Sequence, residues 1–414
     1  MQSDVSLQRI KTFPLLMWII LFGAFITRGS FYMVWPFLAV ILYERFGISA
    51  TEVGLILSSA AIISVLIGFI GGTLSDRFGR HQLMYASGCL YVISFTLLAQ
   101  TETMTGYVIV ITLCSIAKAL WEPPTSALIG DIVSDMKTRE LAMQSRYFVV
   151  NAGAAIGPMA GIWLGLTGQQ SSFYLTAGAF ALFLVVLTWG FKKHGVIKRE
   201  YKPTKSQFKT TLSILKQDKL LQCLIFSNVL CMFIYGQMDS SLIQYLTRAE
   251  VPDLLLLISS MIVANSLLIV SCQFLLLKMM SAMALEKRIQ IGLILLACSQ
   301  FWFAVNPLEF FWGWIGAVMV MSLAEAILFP TMNVHIDRLA PSHLRGAYFG
   351  AASFYSLGFA FAPLGGGIIL DTLGASWLFA GAAALCFVVI YFYSILHRLP
   401  RPDFDAFKVE EVVS

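Results

Sequence analysis

Three features of the 414-residue sequence predict an all-α membrane protein made of two six-helix bundles related by pseudo-two-fold symmetry. The chain is 58% hydrophobic and only 12% charged, with a mean hydropathy of +0.79, far more apolar than a water-soluble domain. Its apolar residues gather into twelve runs, and a helix needs about 20 such residues to cross hydrocarbon. The two halves also echo each other. Gly153-Ala-Ala-Ile-Gly157-Pro158-Met-Ala-Gly161 reappears as Gly358-Phe-Ala-Phe-Ala362-Pro363-Leu-Gly365-Gly366 at an offset of 205, and Ala117-Lys118-Ala119 with Pro123 reappears as Ala324-Glu325-Ala326 with Pro330 at an offset of 207.

The runs lie near residues 13–43, 52–75, 83–99, 107–133, 145–167, 172–191, 220–246, 253–277, 289–305, 308–336, 346–370 and 376–396. The first is too long for a signal-peptide core and lacks a small-residue cleavage pattern, so it is expected to remain as a span. Between the second and third runs, Gly71 to His81 reads as a tight charged hairpin in which Gly79 supplies a conformation other residues resist. Asn306-Pro307 alone separates the ninth and tenth runs, and proline there can open a helix.

Residues 192–219 carry nine basic residues and form the longest connection, a cytoplasmic tether between bundles at 1–191 and 220–396. Residues 397–414 read as an acidic tail. Counted by loop, 23 Lys and Arg residues share the side of the termini, 2 (Arg45 and Arg248) lie opposite, and 3 (Arg28, Lys118 and Arg146) fall within runs. Positive residues mark the cytoplasmic face, so both termini are expected there, in a bacterial inner membrane. The net charge of +5 is spread over many short loops, unlike a nucleic-acid patch. All seven cysteines sit in apolar runs without metal-ligand spacing, as small buried side chains do.

The segment Gly72-x-x-x-Asp76-Arg77-x-Gly79-Arg80, after the second of twelve spans, resembles the loop motif of the major facilitator superfamily, with His81 where a final Lys or Arg is usual. Gly153-x-x-x-Gly157-Pro158-x-x-Gly161 is similar to the fifth-helix signature of the superfamily's drug:proton antiporters, with Ile162 in place of a second glycine. The basic residue that many of those antiporters carry in the outer half of the fourth helix is missing near Ile111, and Lys118 lies two turns deeper. The resemblance implies a gating role for Gly72, Asp76, Arg77, Gly79, Arg80, Gly153, Gly157 and Pro158. Asp76 would cap a helix of the opposite half in the outward-facing state, and Arg77 or Arg80 would meet an acid, for which Asp131 is the candidate.

A charge at mid-bilayer costs at least ~2.5 kcal/mol on insertion scales, so each one asks for a reason. Arg28, Lys118, Glu122, Asp239 and Glu325 all stand inside runs, on helices that by resemblance line a central cavity. Lys118 and Glu122, four apart, can simply neutralise each other; alternatively, Lys118 faces Glu325 across the cavity, as the repeat maps one onto the other. Asp239, whose face continues through Tyr235, Met232 and Asn228, has no local partner. Asp239, Glu325 and Glu122 are the proton-coupling candidates. Arg28, Tyr32, Trp35, Lys118, Tyr235, Met321 and Phe329 are the candidate cavity lining, since aromatic and sulfur surfaces accept varied amphiphiles.

No nucleotide-binding glycine loop, catalytic constellation, metal site or cofactor site is evident. The reading is a monomeric, non-enzymatic exporter whose partners are small-molecule substrate, protons and lipid, with no nucleic acid. A dedicated exporter of one polar metabolite, a siderophore or other carboxylate held by Arg28 and Lys118, is the alternative; a transporter-shaped sensor is a third reading.

Overall fold

A computed structural model describes residues 7–194, 215–280, 282–341 and 345–402. Backbone polar groups in lipid must be satisfied within the segment, and every long apolar run accordingly forms a helix. α1 runs Leu15–Val34 and, after a 3-10 turn at Trp35–Phe37, continues as Leu38–Phe46. It is followed by α2 (Ala50–Phe78), α3 (Arg80–Gln100), α4 (Met104–Ile132), α5 (Met136–Trp163) and α6 (Phe173–His194). The second half comprises α7 (Lys219–Tyr235, a π-helical turn Met238–Leu242, then Ile243–Arg248), α8 (Leu254–Met279), α9 (Leu285–Val305) and α10 (Phe311–Leu339). α11 (Arg345–Ala352, a 3-10 turn Ser353–Tyr355, then Ser356–Thr372) and α12 (Ala375–Ile395) complete it. Eleven of these spans are long and apolar enough to cross a membrane by composition; the twelfth, α5, is diluted by Gln144, Arg146 and Asn151.

Two expectations about connections are corrected. The segment from Gly71 is helical through Phe78, and α3 starts at Arg80, so Gly79 alone, at φ +92°, makes the turn. Pro307 does not open α10, which begins at Phe311 after a loop that the Asn306 side-chain amide braces by donating to the Pro307 and Phe310 carbonyls. Most of the expected tether, residues 195–214, and of the tail, residues 403–414, lies outside the described residues, as do the surroundings of Gly72 and the side chains of Asp76 and Arg77.

The internal repeat reappears as packing. A Cβ on Gly153 of α5 would come within 2.8 Å of the Phe25 carbonyl oxygen of α1, and one on its counterpart Gly358 of α11 within 1.9 Å of the Val229 carbonyl oxygen of α7. Small residues thus let backbone meet backbone at matching places in the two bundles.

α2 lies along α11 across the boundary between the bundles, and the contacts there are polar at one end. The face bearing the described ends of the chain is the near face, and the opposite one the far face. At the far face, the Asp371 carboxylate accepts from Ala50 N–H (3.2 Å), Thr51 N–H (2.7 Å) and the Thr51 hydroxyl (2.6 Å), capping the start of α2. Arg248 donates to the Ile48 carbonyl at 2.9 Å and covers the Tyr43 ring at 4.5 Å. Leu364 N–H donates to the Ser58 hydroxyl at 3.0 Å. Among the described residues, the hydrogen bonds between bundles all lie in this far half.

At the near face, buried Asp218 caps α7 through Leu221 N–H (3.0 Å) and accepts from the Tyr348 hydroxyl (2.5 Å) and Arg401 (3.2 Å). Arg401 also donates to the Leu339 carbonyl at 2.8 Å, so one arginine after α12 joins the near ends of α7, α10 and α11. Burial, then the hydrogen bond to Asp218, holds the Tyr348 phenol above its usual range.

Candidate functional site

Five spans, α1, α4, α5, α7 and α10, bring six ionisable side chains into the middle of the molecule. On the first bundle, Glu122 of α4 accepts from Arg146 of α5 at 2.5 Å and stands 3.9 Å from Arg28 of α1. Of the two readings of Lys118, neutralisation by Glu122 is not made as an ion pair, since the two guanidinium groups stand closer. A planar guanidinium matches a carboxylate better than the ammonium one turn away, and it comes from a neighbouring helix that spacing along α4 cannot reveal. Arg28 also lies over the rings of Tyr32 (5.7 Å) and Phe31 (6.0 Å). Lys118 is left without a hydrogen bond or an ion-pair partner within 4.0 Å among the described residues, and it is exposed despite its place at mid-helix.

On the second bundle, Glu325 accepts from the Tyr235 hydroxyl (2.9 Å) and the Asn265 amide of α8 (2.8 Å), both on the same carboxylate oxygen. Both donors are neutral. Asp239 sits in the π-helical turn, closed by Leu242 N–H to the Gln237 carbonyl at 2.8 Å. Such a turn shifts the helical register by a fraction of a turn and is frequent at functional sites. Tyr235 and Met232, one and two turns before this point on the expected face, also reach the chamber, whereas Asn228 at its near end is fully buried and accepts from Tyr393 of α12. Asp239 is exposed, has no hydrogen-bond partner among the described residues, and lies within electrostatic reach of Lys118 across the boundary.

Two cavities flank this cluster. One of about 50 Å³ lies inside the first bundle and is lined by Arg28, Lys118, Glu122, Arg146, Phe31 and Tyr91 among others. The larger, about 380 Å³, is lined by Tyr147 from α5 and by Met232, Gln273, Glu325, Phe329, Met332, Asn333 and Tyr355 from the second bundle. Two expected lining residues, Met321 and Trp35, lie elsewhere. Met321 is fully buried and approaches Gln300 of α9 at 4.0 Å. Trp35 stacks on Phe31 at 4.9 Å, because the 3-10 turn at Trp35-Pro36-Phe37, where Pro36 lacks an N–H, ends the helical stripe begun at Arg28. Tyr235 reaches the site through its hydroxyl while its ring packs on Phe329 at 4.9 Å.

Near the turn at Gly79, Arg80 donates to the Asp131 carboxylate and the Ala127 carbonyl, tying the start of α3 to the end of α4. His81 packs its ring edge-on to Phe191 at 6.1 Å. Arg146 and Asn265 were missed by sequence reasoning. Arg146 stands at the edge of the expected run 145–167, and its depth shows only because α5 starts earlier, at Met136; a neutral asparagine carries no comparable signal.

The sequence profile of the Major Facilitator Superfamily matches residues 20–356. The chain is 27% identical over 388 residues to the uncharacterized MFS-type transporter YqjV of Bacillus subtilis, covering 92% of this chain and 93% of that one. It is 28% identical over 259 residues to the multi-drug resistance efflux pump PmrA of Streptococcus pneumoniae, covering 59% and 61%. Its fold is similar to that of a crystallised peptide transporter, POT, in complex with sulfate, with a TM-score of 0.77, 17% identity and coverage of 94% and 96%.

Proposed function

From the fact that this chain belongs to the major facilitator superfamily, a family of membrane transporters of small molecules and not of enzymes, we propose that it exports amphiphilic solutes in exchange for protons. Export as the direction rests on the relationship to the efflux pump PmrA. The loop count of 23 basic residues to 2 supports placing the near face, and both termini, in the cytoplasm of a bacterial cell.

The observation that carries proton coupling is the setting of Glu325. It is a carboxylate at mid-helix, lining a cavity of about 380 Å³ and held by two neutral donors, with no cation within ion-pair distance among the described residues. A carboxyl so placed exchanges its proton with cavity water more readily than one locked to arginine. Glu122, held by Arg146 and Arg28, serves instead as a counter-ion in this reading. A proton crossing ~100 mV yields about 2.3 kcal/mol, enough to drive a solute several tens-fold uphill. The far-face contacts made by Asp371 and Arg248 close one side of the cleft, and their release would open it. Gly157 and Pro158 in α5, with their counterparts in α11, give each bundle a closely packed body that rocks as a unit.

Proteoliposomes loaded with a pH dye test this. A panel of aromatic amphiphiles should contain members that elicit proton flux through the wild type and none through Glu325→Gln. Equal flux through both would remove Glu325 from the mechanism. The second reading, a dedicated exporter of one polar anion, is favoured by a single observation: three cations and one carboxylate surround the cavity of the first bundle. Under that reading Arg28→Ala abolishes transport, whereas broad amphiphile export survives it.

A further inference from the structure

The charges of the chamber are biased by wall. From the first bundle come Arg28 (α1), Lys118 and Glu122 (α4) and Arg146 (α5), a surplus of cations. From the second come Glu325 (α10), with the neutral Asn265 and Gln273 (α8) and Tyr355 (α11) beside it, and Asp239, exposed in the π-helical turn of α7.

Most of these groups are already engaged. Arg28 and Arg146 share Glu122, and Glu325 is held by Tyr235 and Asn265. Two remain, one on each wall. Lys118 and Asp239 are both exposed, both without a hydrogen bond among the described residues, near enough to act on each other electrostatically, yet farther apart than the 4.0 Å of an ion pair. Charges at mid-membrane cost at least ~2.5 kcal/mol each unless something compensates them. Two opposite charges left open, one on each wall, are a receptor for a molecule that brings the complementary two.

We propose that the solute bound between the bundles is an aromatic zwitterion, its carboxylate received by Lys118 and its ammonium by Asp239. The proposal rests on the export reading above and narrows its substrate class. A purely cationic amphiphile would satisfy Asp239 but add a fourth positive centre to Arg28, Lys118 and Arg146 and leave Lys118 bare; a purely anionic one would do the converse beside Glu325. A zwitterion answers both walls with no change in the chamber's net charge. The larger cavity, lined by Phe329, Met332, Met232 and Tyr147, offers room for a flat apolar body, within the volume range of small-molecule sites.

The test uses the full-length protein in lipid nanodiscs with 4′-(aminomethyl)biphenyl-4-carboxylic acid, its methyl ester and its N-acetyl derivative. The zwitterion should bind at least about tenfold more tightly than either blocked form, as expected for loss of one charge-assisted contact. Lys118→Met should lower zwitterion affinity to that of the ester and leave the ester unchanged. Asp239→Asn should do the same with respect to the N-acetyl form, and Lys118→Arg should restore selectivity for the carboxylate. Folding of each variant is checked by gel filtration.

The proposal is overturned if a blocked form binds wild type as well as the zwitterion does, if Lys118→Met weakens all three alike, or if no member binds the folded protein. The two readings fail separately. A pH gradient that drives the ester but not the zwitterion across proteoliposomes leaves the exporter standing and removes the zwitterion. The predicted binding pattern with no gradient-driven movement keeps the site and removes proton-coupled export.

Discussion

Glu122 shows how a single carboxylate organises its neighbourhood. It stands against two arginines of different helices, and its side chain is 39% exposed to the chamber. Breaking a fully buried ion pair costs about 3–5 kcal/mol; screening by cavity water lowers this to about 1–2 kcal/mol for Glu122→Gln. A thermal-shift measurement should therefore find a destabilised protein, and adding Arg146→Met should recover part of the loss, because it removes one of the stranded cations. At Glu325, Tyr235→Phe deletes one of two hydrogen bonds, worth about 0.5–1.5 kcal/mol. The Tyr235 hydroxyl supports the ionised carboxylate, so its loss should move the pH of half-maximal transport upward. An unchanged or lowered midpoint would show that the hydroxyl does not act on the charge.

The charged residues themselves were legible in the sequence, since a charge inside an apolar run is expensive wherever it falls. Their partners were not. Residues four apart on one helix are visible as neighbours, whereas Arg146 reaches Glu122 from another helix, and that approach depends on the fold.

Among the elements, α1 and α5 depend on the closest backbone approach. Gly157→Val would drive side-chain atoms into the Gly29 carbonyl oxygen, which stands only 2.1 Å from where the new Cβ would lie, and overpacking of this kind costs about 1–3 kcal/mol. Gly157→Val should lower thermal stability and transport together, while Gly178→Ala in α6, where a Cβ meets nothing within 4 Å, should change neither. α7 illustrates what periodicity misses. A π-helical turn adds a residue to one turn of helix without altering hydrophobicity, so the turn at Met238–Leu242 leaves no mark on the apolar pattern. The Gly153 and Gly358 repeats were readable because small residues recur with the same spacing, and helix packing follows spacing.

For the whole molecule, the division into two bundles and the order of twelve spans followed from hydropathy and internal repetition alone. The contacts that hold the bundles together at the far face did not, because Asp371 lies just beyond the end of an apolar run and Arg248 was counted only as an exception to the charge bias. Asp371 makes three hydrogen bonds to the start of α2. Asp371→Ala should cost that closed arrangement about 2 kcal/mol, near thirty-fold in population. Spin labels on the far ends of α2 and α11 would read this as a wider distance distribution; an unchanged distribution would mean that the clasp does not set the balance. Crosslinking Thr51→Cys to Thr372→Cys should arrest transport and reducing the bond should restore it.

The carboxylate over the first turn of α2 has one more consequence. When the bundles part there, bare amide hydrogens at that helix start and the freed acid must both be hydrated, so opening draws in water molecules from the medium. The conformational balance thereby becomes a function of osmotic pressure: impermeant osmolytes on that side should hold the cleft shut and slow turnover, and Asp371→Ala should blunt this sensitivity.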